Sequence, residues 1–125
     1  MSMQPKANLQ LVYVSDIERS TRFYENIFNA KPVFSSPRYV AFSATSNNEA
    51  LFAIWTGGST PDKDIPRFSE IGIMVLTNDD VEKLYEKWKA NSEIKIIREP
   101  YTEVFGRTFL VSDPDGHIIR VSPRD

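Results

Sequence analysis

The chain has 125 residues, 41% hydrophobic and 26% charged, with a formal net charge of −2 and no cysteine. This balance suits one compact domain with a real core, and the missing thiols exclude disulfides, thiolate zinc sites and a cysteine nucleophile. A mildly acidic charge argues against nucleic acid or an anionic membrane as partner, and no apolar run nears the roughly 20 residues that cross a bilayer.

The opening Met1-Ser-Met-Gln-Pro-Lys6 has no hydrophobic signal region, so a cytoplasmic protein is expected. Leu9 to Val14 then reads as a strand. Ser15 and Glu18 have the spacing of a capping box, which satisfies orphan amides at a helix start. Ile17, Thr21, Tyr24 and Phe28, with Ile27 beside them, continue as a helical stripe. Beyond Pro32 come three short strands, Val33-Phe34, Tyr39 to Ala44 and Ala50 to Trp55. Asn47-Asn48 makes the turn between the last two, and Gly57-Gly58 closes the module.

Residues 59–68, with Pro61 and Pro66, read as a linker, and residues 69–123 repeat the plan. Ile71 to Leu76 is a strand, and Thr77 caps a helix that opens with Asp79 and Asp80. Val81, Leu84, Tyr85 and Trp88 fall at i, i+3, i+4 and i+7. Strands follow at Ile94 to Ile97, Thr108 to Ser112 and Ile118 to Ser122. Between the last two, Pro114 presets φ and Gly116 permits the reversal of Asp113-Pro-Asp-Gly116, a hairpin signal with a mechanism. The expected class is α+β: two tandem βαβββ modules, the first over about residues 7–58.

Strand alternation sorts the side chains. Ile71, Ile73 and Val75, with Ile119 and Val121, form wholly aliphatic sets suited to the face beneath the helices. Glu70, Gly72 and Met74, with Ile118, Arg120 and Ser122, form the mixed opposite face. On the first strand Gln10, Val12 and Val14 oppose Leu9, Leu11 and Tyr13. Phe42 and Phe52 read as core. The single histidine, His117, reads as an exposed turn residue.

The hairpin Asp113-Pro-Asp-Gly116 and its two strands resemble the last hairpin of the vicinal-oxygen-chelate (glyoxalase and bleomycin-resistance) superfamily. That resemblance implies curved mixed sheets that form a cavity, paired in a dimer, with four metal-ligand positions. In this sequence those positions fall on Leu9, near Ala53, on Glu70 and on Arg120. Only Glu70 could ligate, and a carboxylate beside a guanidinium is no metal site. Metal-assisted chemistry is therefore not expected, and no cofactor is assigned.

With the metal ligands missing, an aromatic slot remains. Trp55 shares parity with Leu51 and Ala53, ends a strand expected to line the cavity, and precedes Gly57-Gly58. Small residues beside large flat ones favour a planar ligand by stacking. Arg120, with Arg38 as second candidate, is the expected cation for an anionic or carbonyl-bearing ligand, and Glu70 is expected to pair with Arg120. Tyr39, Phe68, Tyr101, Phe105, Phe109 and Ser112 complete the set of expected ligand-binding residues.

A narrower resemblance runs through most of the chain. Asn8-Leu-Gln-Leu-Val-Tyr-Val-Ser15, Pro37-Arg-Tyr-Val-Ala-Phe42, Leu51-Phe-Ala-Ile-Trp55, Ile65-Pro-Arg-Phe-Ser-Glu-Ile-Gly-Ile-Met74, Glu99-Pro-Tyr-Thr102 and Phe105-Gly-Arg-Thr-Phe-Leu110 resemble the phenazine-antibiotic resistance proteins. Those proteins bind griseoluteate-type phenazines. The resemblance implies a homodimer that sequesters a flat, carboxylated tricycle without modifying it. The alternative is an enzyme of the superfamily acting on a small aromatic or carbonyl substrate. It would be a lyase or dioxygenase with an unusual metal, or a metal-free isomerase using Glu70 as base.

Overall fold

The computed structural model describes residues 3–124. The chain forms two compact units, divided between Pro61 and Asp62. In the first, β1 (Leu9–Tyr13), α1 (Ile17–Phe28), β2 (Phe34–Ser35), β3 (Tyr39–Ser43) and β4 (Leu51–Trp55) follow one another. In the second, β5 (Ile71–Val75), α2 (Asn78–Lys89), β6 (Lys95–Glu103), β7 (Gly106–Ser112) and β8 (Ile118–Pro123) repeat that order. Each unit holds one mixed four-stranded sheet, ordered β1-β4-β3-β2 and β5-β8-β7-β6. The first strand of each unit runs parallel to its last, and the other neighbours are antiparallel.

Each helix covers one face of its sheet, and aromatic residues make the contact. Phe23, Tyr24 and Ile27 of α1 are buried with Val40, Phe42, Phe52 and Ile54. The ring of Tyr24 lies 4.9 Å from Phe52, and Phe28 lies 5.4 Å from Phe42. In the second unit Val81, Tyr85 and Trp88 of α2 are buried with Val111, Ile119 and Val121, the aliphatic face that alternation predicts.

The helix starts differ in one detail from expectation. Asp16, not Ser15, caps α1: its carboxylate accepts the Arg19 amide at 3.0 Å, while the Ser15 hydroxyl accepts from the Arg19 guanidinium at 2.9 Å. An aspartate one residue nearer the first turn satisfies the same orphan amide and adds its charge to the positive helix end. Thr77 caps α2 as expected, its hydroxyl accepting the Asp80 amide at 3.1 Å.

The largest departure is β6, which runs to Glu103 rather than ending at Ile97. Its register against β7 shifts twice, between Ile96 and Arg98 and between Arg98 and Tyr101. Bulges of this kind break strict alternation and re-aim side chains. Pro100 is tolerated because β6 is an edge strand.

The β7–β8 turn forms as its sequence dictates. Gly116 takes φ +89°, and the Asp113 carboxylate accepts the amides of Asp115 at 2.9 Å and His117 at 2.7 Å. His117 is half-buried there rather than exposed. Arg67 ties the preceding segment to this turn, donating to the carbonyls of Asp62, Ile65 and Asp115. Among the described residues no helix is long and apolar enough to cross a membrane.

Candidate ligand-binding faces

The helix-free face of the second sheet carries a charged cluster. Arg120 on β8 stands between Leu110 of β7 and Gly72 of β5. Its Nε and Nη2 donate to the two carboxylate oxygens of Glu70 at 2.6 and 3.0 Å. Its Nη1 donates to the Tyr101 hydroxyl at 3.0 Å and the Thr108 hydroxyl at 3.2 Å. Four of the five guanidinium N–H groups are thus committed. The two-pronged pairing holds the Glu70 carboxyl below its ordinary range and pushes the Arg120 pKa up. The pairing expected from the sequence is present, and it leaves Arg120 neutralised.

Other groups complete this face. The Phe105 ring, 39% exposed, has its centre 5.8 Å from the Arg120 guanidinium carbon. A Cβ added at Gly72 would meet nothing within 4 Å, so free space lies directly beside Arg120. Ser112 pairs with Ile118 on the same side, but its hydroxyl donates to the Asp113 carbonyl at 2.9 Å. Arg98, absent from the expected set, stacks its guanidinium 3.5 Å above the Tyr101 ring centre. Alternation could not have placed it, because the register shift in β6 between Arg98 and Tyr101 brings both to one face although they are three residues apart. Pro100 was the signal available in the sequence.

Two expected wall residues stand elsewhere. Phe109 is fully buried, its ring 5.4 Å from Tyr85 and 5.6 Å from Trp88, beneath α2. It pairs with Val121 and therefore shares the helix-covered face. Phe68 is 96% exposed on the segment before β5, outside any strand, and forms no wall within its unit.

The helix-free face of the first sheet is aromatic and uncharged. Tyr13, Trp55 and Tyr39 lie abreast across β1, β4 and β3. The next matched row along the same three strands is Leu11, Ala53 and Ala41. Tyr13 and Trp55 meet edge to face at 5.7 Å, and Tyr39 meets Phe34 at 6.0 Å. Both rings of the first pair rest on glycine backbone. A Cβ at Gly57 would fall 2.2 Å from the Trp55 indole, and one at Gly58 would fall 2.6 Å from the Tyr13 ring. Only glycine permits that approach. Arg38 is exposed beside this row, and its carbonyl accepts the Thr56 amide at 3.0 Å.

Two surface grooves lie apart from these residues. One of about 490 Å³ borders Ile17, Arg22 and Pro37, and one of about 440 Å³ borders Val75, Leu76 and Lys87. The first is also lined by Glu18, Thr21, Ser35 and Ser36, and the second by Asp80 and Lys83; neither includes any of the expected ligand-binding residues.

The residues present do not fit a metal centre. Leu9 and Ala53 offer no donor atom, and Glu70 gives both oxygens to Arg120. Among the described residues no group of three or more His, Cys, Asp or Glu side chains gathers closely enough to hold an ion.

A family model described as the glyoxalase/bleomycin resistance protein/dioxygenase superfamily matches residues 7–121. The chain belongs to that superfamily. It is 63% identical over 120 residues to the phenazine antibiotic resistance protein EhpR of Enterobacter agglomerans, covering 94% of this chain and 92% of that protein. It is 28% identical over 116 residues to the metallothiol transferase FosB of Lysinibacillus sphaericus, covering 88% and 76%. Among solved structures, the fosfomycin resistance protein FosX of Listeria monocytogenes superposes with a TM-score of 0.78 at 21% identity, over 98% of this chain and 96% of that one. That likeness establishes the shared fold, and the superfamily includes antibiotic-resistance proteins.

Proposed function

We propose that this protein confers resistance by binding and sequestering a planar aromatic antibiotic of phenazine type, griseoluteate among them, without a metal and without altering it. The observation that carries this reading is the 63% identity, over almost the whole of both chains, to a phenazine antibiotic resistance protein. The two faces support it. Tyr13, Trp55 and Tyr39 offer flat apolar surface for stacking, each such contact contributing on the order of 0.5–1.5 kcal/mol beyond area burial. Tyr101 and Phe105 offer aromatic surface around Arg120, and Gly72 leaves open space on its other flank.

The 28% identity to a metallothiol transferase favours a second reading, an enzyme. Its two routes are poorly served here. Three of the four expected metal positions lack a donor. Glu70, the one candidate base, accepts hydrogen bonds from Arg120 at both oxygens, which hold its pKa down and weaken it as a base, whereas an effective general base has a raised pKa.

The same reading places the protein in the cytoplasm as a homodimer. Phe68, Met74 and Val104, 96%, 65% and 104% exposed, are apolar side chains that a second copy would cover. Light scattering at micromolar concentration should return twice the chain mass, and a monomer mass would remove the dimer from the proposal.

The deciding experiment incubates the protein, as purified and in parallel after chelator treatment, with phenazine-2-carboxylate, passes it through a desalting column, and analyses the retained ligand by mass spectrometry. Sequestration requires ligand retained with the protein at unchanged mass. A new product mass that grows with time establishes the enzyme instead.

A further inference from the structure

Two guanidinium groups share the helix-free face of the second unit, and their surroundings give them different work. Arg120 is bound at both prongs by Glu70, and its remaining side donates to Tyr101 and Thr108. The pair sums to zero charge, and one N–H is left. Arg98 lies in the same cross-strand row, opposite Leu110, which is itself opposite Arg120. Its guanidinium stacks on Tyr101 at 3.5 Å and has no ion pair among the described residues. The nearest acid in sequence, Glu99, meets the Tyr85 hydroxyl of α2 at 3.4 Å instead. Stacking leaves the in-plane N–H edge of a guanidinium available, which is the edge that matches a carboxylate.

We infer that Arg98, held flat on Tyr101, is the residue that meets the acidic substituent of the bound ligand, while Arg120 is a clamp that fixes Tyr101 and Glu70. Arg120 donates to the Tyr101 hydroxyl and Arg98 lies over the Tyr101 ring. The platform is therefore set before ligand arrives, and the cost of ordering Arg98 is met in the free protein. The specificity is for a planar acid over its neutral counterpart. This inference rests on the phenazine-binding reading and assigns the group that reads ligand charge.

The test measures binding of phenazine-2-carboxylate and of its primary carboxamide by calorimetry, on the parent protein, Arg98→Met and Arg98→Lys. Arg98→Met should weaken the acid by about tenfold or more, the size of one lost charge-assisted contact, and leave the amide unchanged. Arg98→Lys should recover part of the acid affinity, because charge returns without the planar fork. In the parent, acid affinity should fall as salt rises, and in Arg98→Met that slope should flatten. Acid affinity unchanged in Arg98→Met overturns the inference while leaving sequestration standing. Equal losses for acid and amide also overturn it, since Arg98 would then only prop Tyr101. A parent that binds neither compound removes the phenazine reading itself, and this inference with it.

Discussion

The two units share a topology strand for strand, yet their helix-free faces have opposite chemistry. In the first, Tyr13, Trp55 and Tyr39 make an uncharged aromatic row resting on Gly57 and Gly58. In the second, Arg98 and Arg120 meet Tyr101, and Glu70 pairs with Arg120. The helix-covered faces, by contrast, are alike: aromatic and aliphatic residues packed beneath α1 or α2. The lesson is that a half-buried strand separates two jobs. One face must fill a core at native density, while the other is free to diverge as long as it stays satisfied. A duplicated fold can thus offer a stacking surface in one copy and a charge-reading surface in the other.

The sharpest way to break this division is to truncate a phenylalanine on each face of the second sheet. Phe109→Ala empties a fully buried site under α2 and should cost about 3–5 kcal/mol in a denaturant melt. Phe105→Ala, on the helix-free face, should cost far less stability and instead weaken phenazine binding. Equal destabilisation by both would mean that the second sheet has no functional face.

A binding experiment sharpens the same contrast in the first unit. Trp55→Ala should weaken phenazine binding at least tenfold, since losing a large aromatic anchor costs about 2 kcal/mol or more. Gly57→Ala should give a milder version, because its Cβ would force the indole off its seat. Its Trp55 emission should shift while the melt changes little. If Trp55→Ala binds like the parent, the aromatic row is packing alone.

The smallest effect concerns the Glu70–Arg120 pair. Glu70 has a folded pKa below its ordinary 4.5, chiefly through its hydrogen bonds to Arg120. The stabilisation is therefore fully present above about pH 4.5 and is lost as pH falls through the lower folded value. Glu70 is 37% exposed, so the pair is worth about 1 kcal/mol or less. The stability gap between parent and Glu70→Gln should be flat from neutral pH down to about 4.5 and shrink below it. A gap that widened in acid would reverse the assigned charge state.

Most of the fold was legible because periodicity reports it directly. The stripe Val81, Leu84, Tyr85 and Trp88 placed α2, and the turn residues Asp113-Pro-Asp-Gly116 placed β7 against β8. The aliphatic sets of β5 and β8 gave the covered face correctly. Site residues were harder to place. Phe109 was expected as a wall because it is aromatic, although its parity with Val111 puts it under the helix. Phe68 lies outside any strand, where alternation has no meaning. Arg98 was missed because the strand was expected to stop before it, and bulges in β6 break the period of two that assigns faces. The Glu70–Arg120 pairing was legible, but its completeness, with four guanidinium N–H groups engaged, is a three-dimensional fact.

The most direct test of sequestration on these faces is a tryptophan-fluorescence titration with phenazine-2-carboxylate on protein stripped with a chelator. Trp55 is half-buried on the aromatic row and Trp88 is buried beneath α2, so a stacking ligand should quench one tryptophan and spare the other. The account predicts saturable, partial quenching that is abolished in Trp55→Phe only through the lost signal, with calorimetry still detecting the ligand, and that is unaffected by added divalent metal. Absence of saturable quenching in the parent, or binding that appears only once a divalent metal is restored, would contradict it.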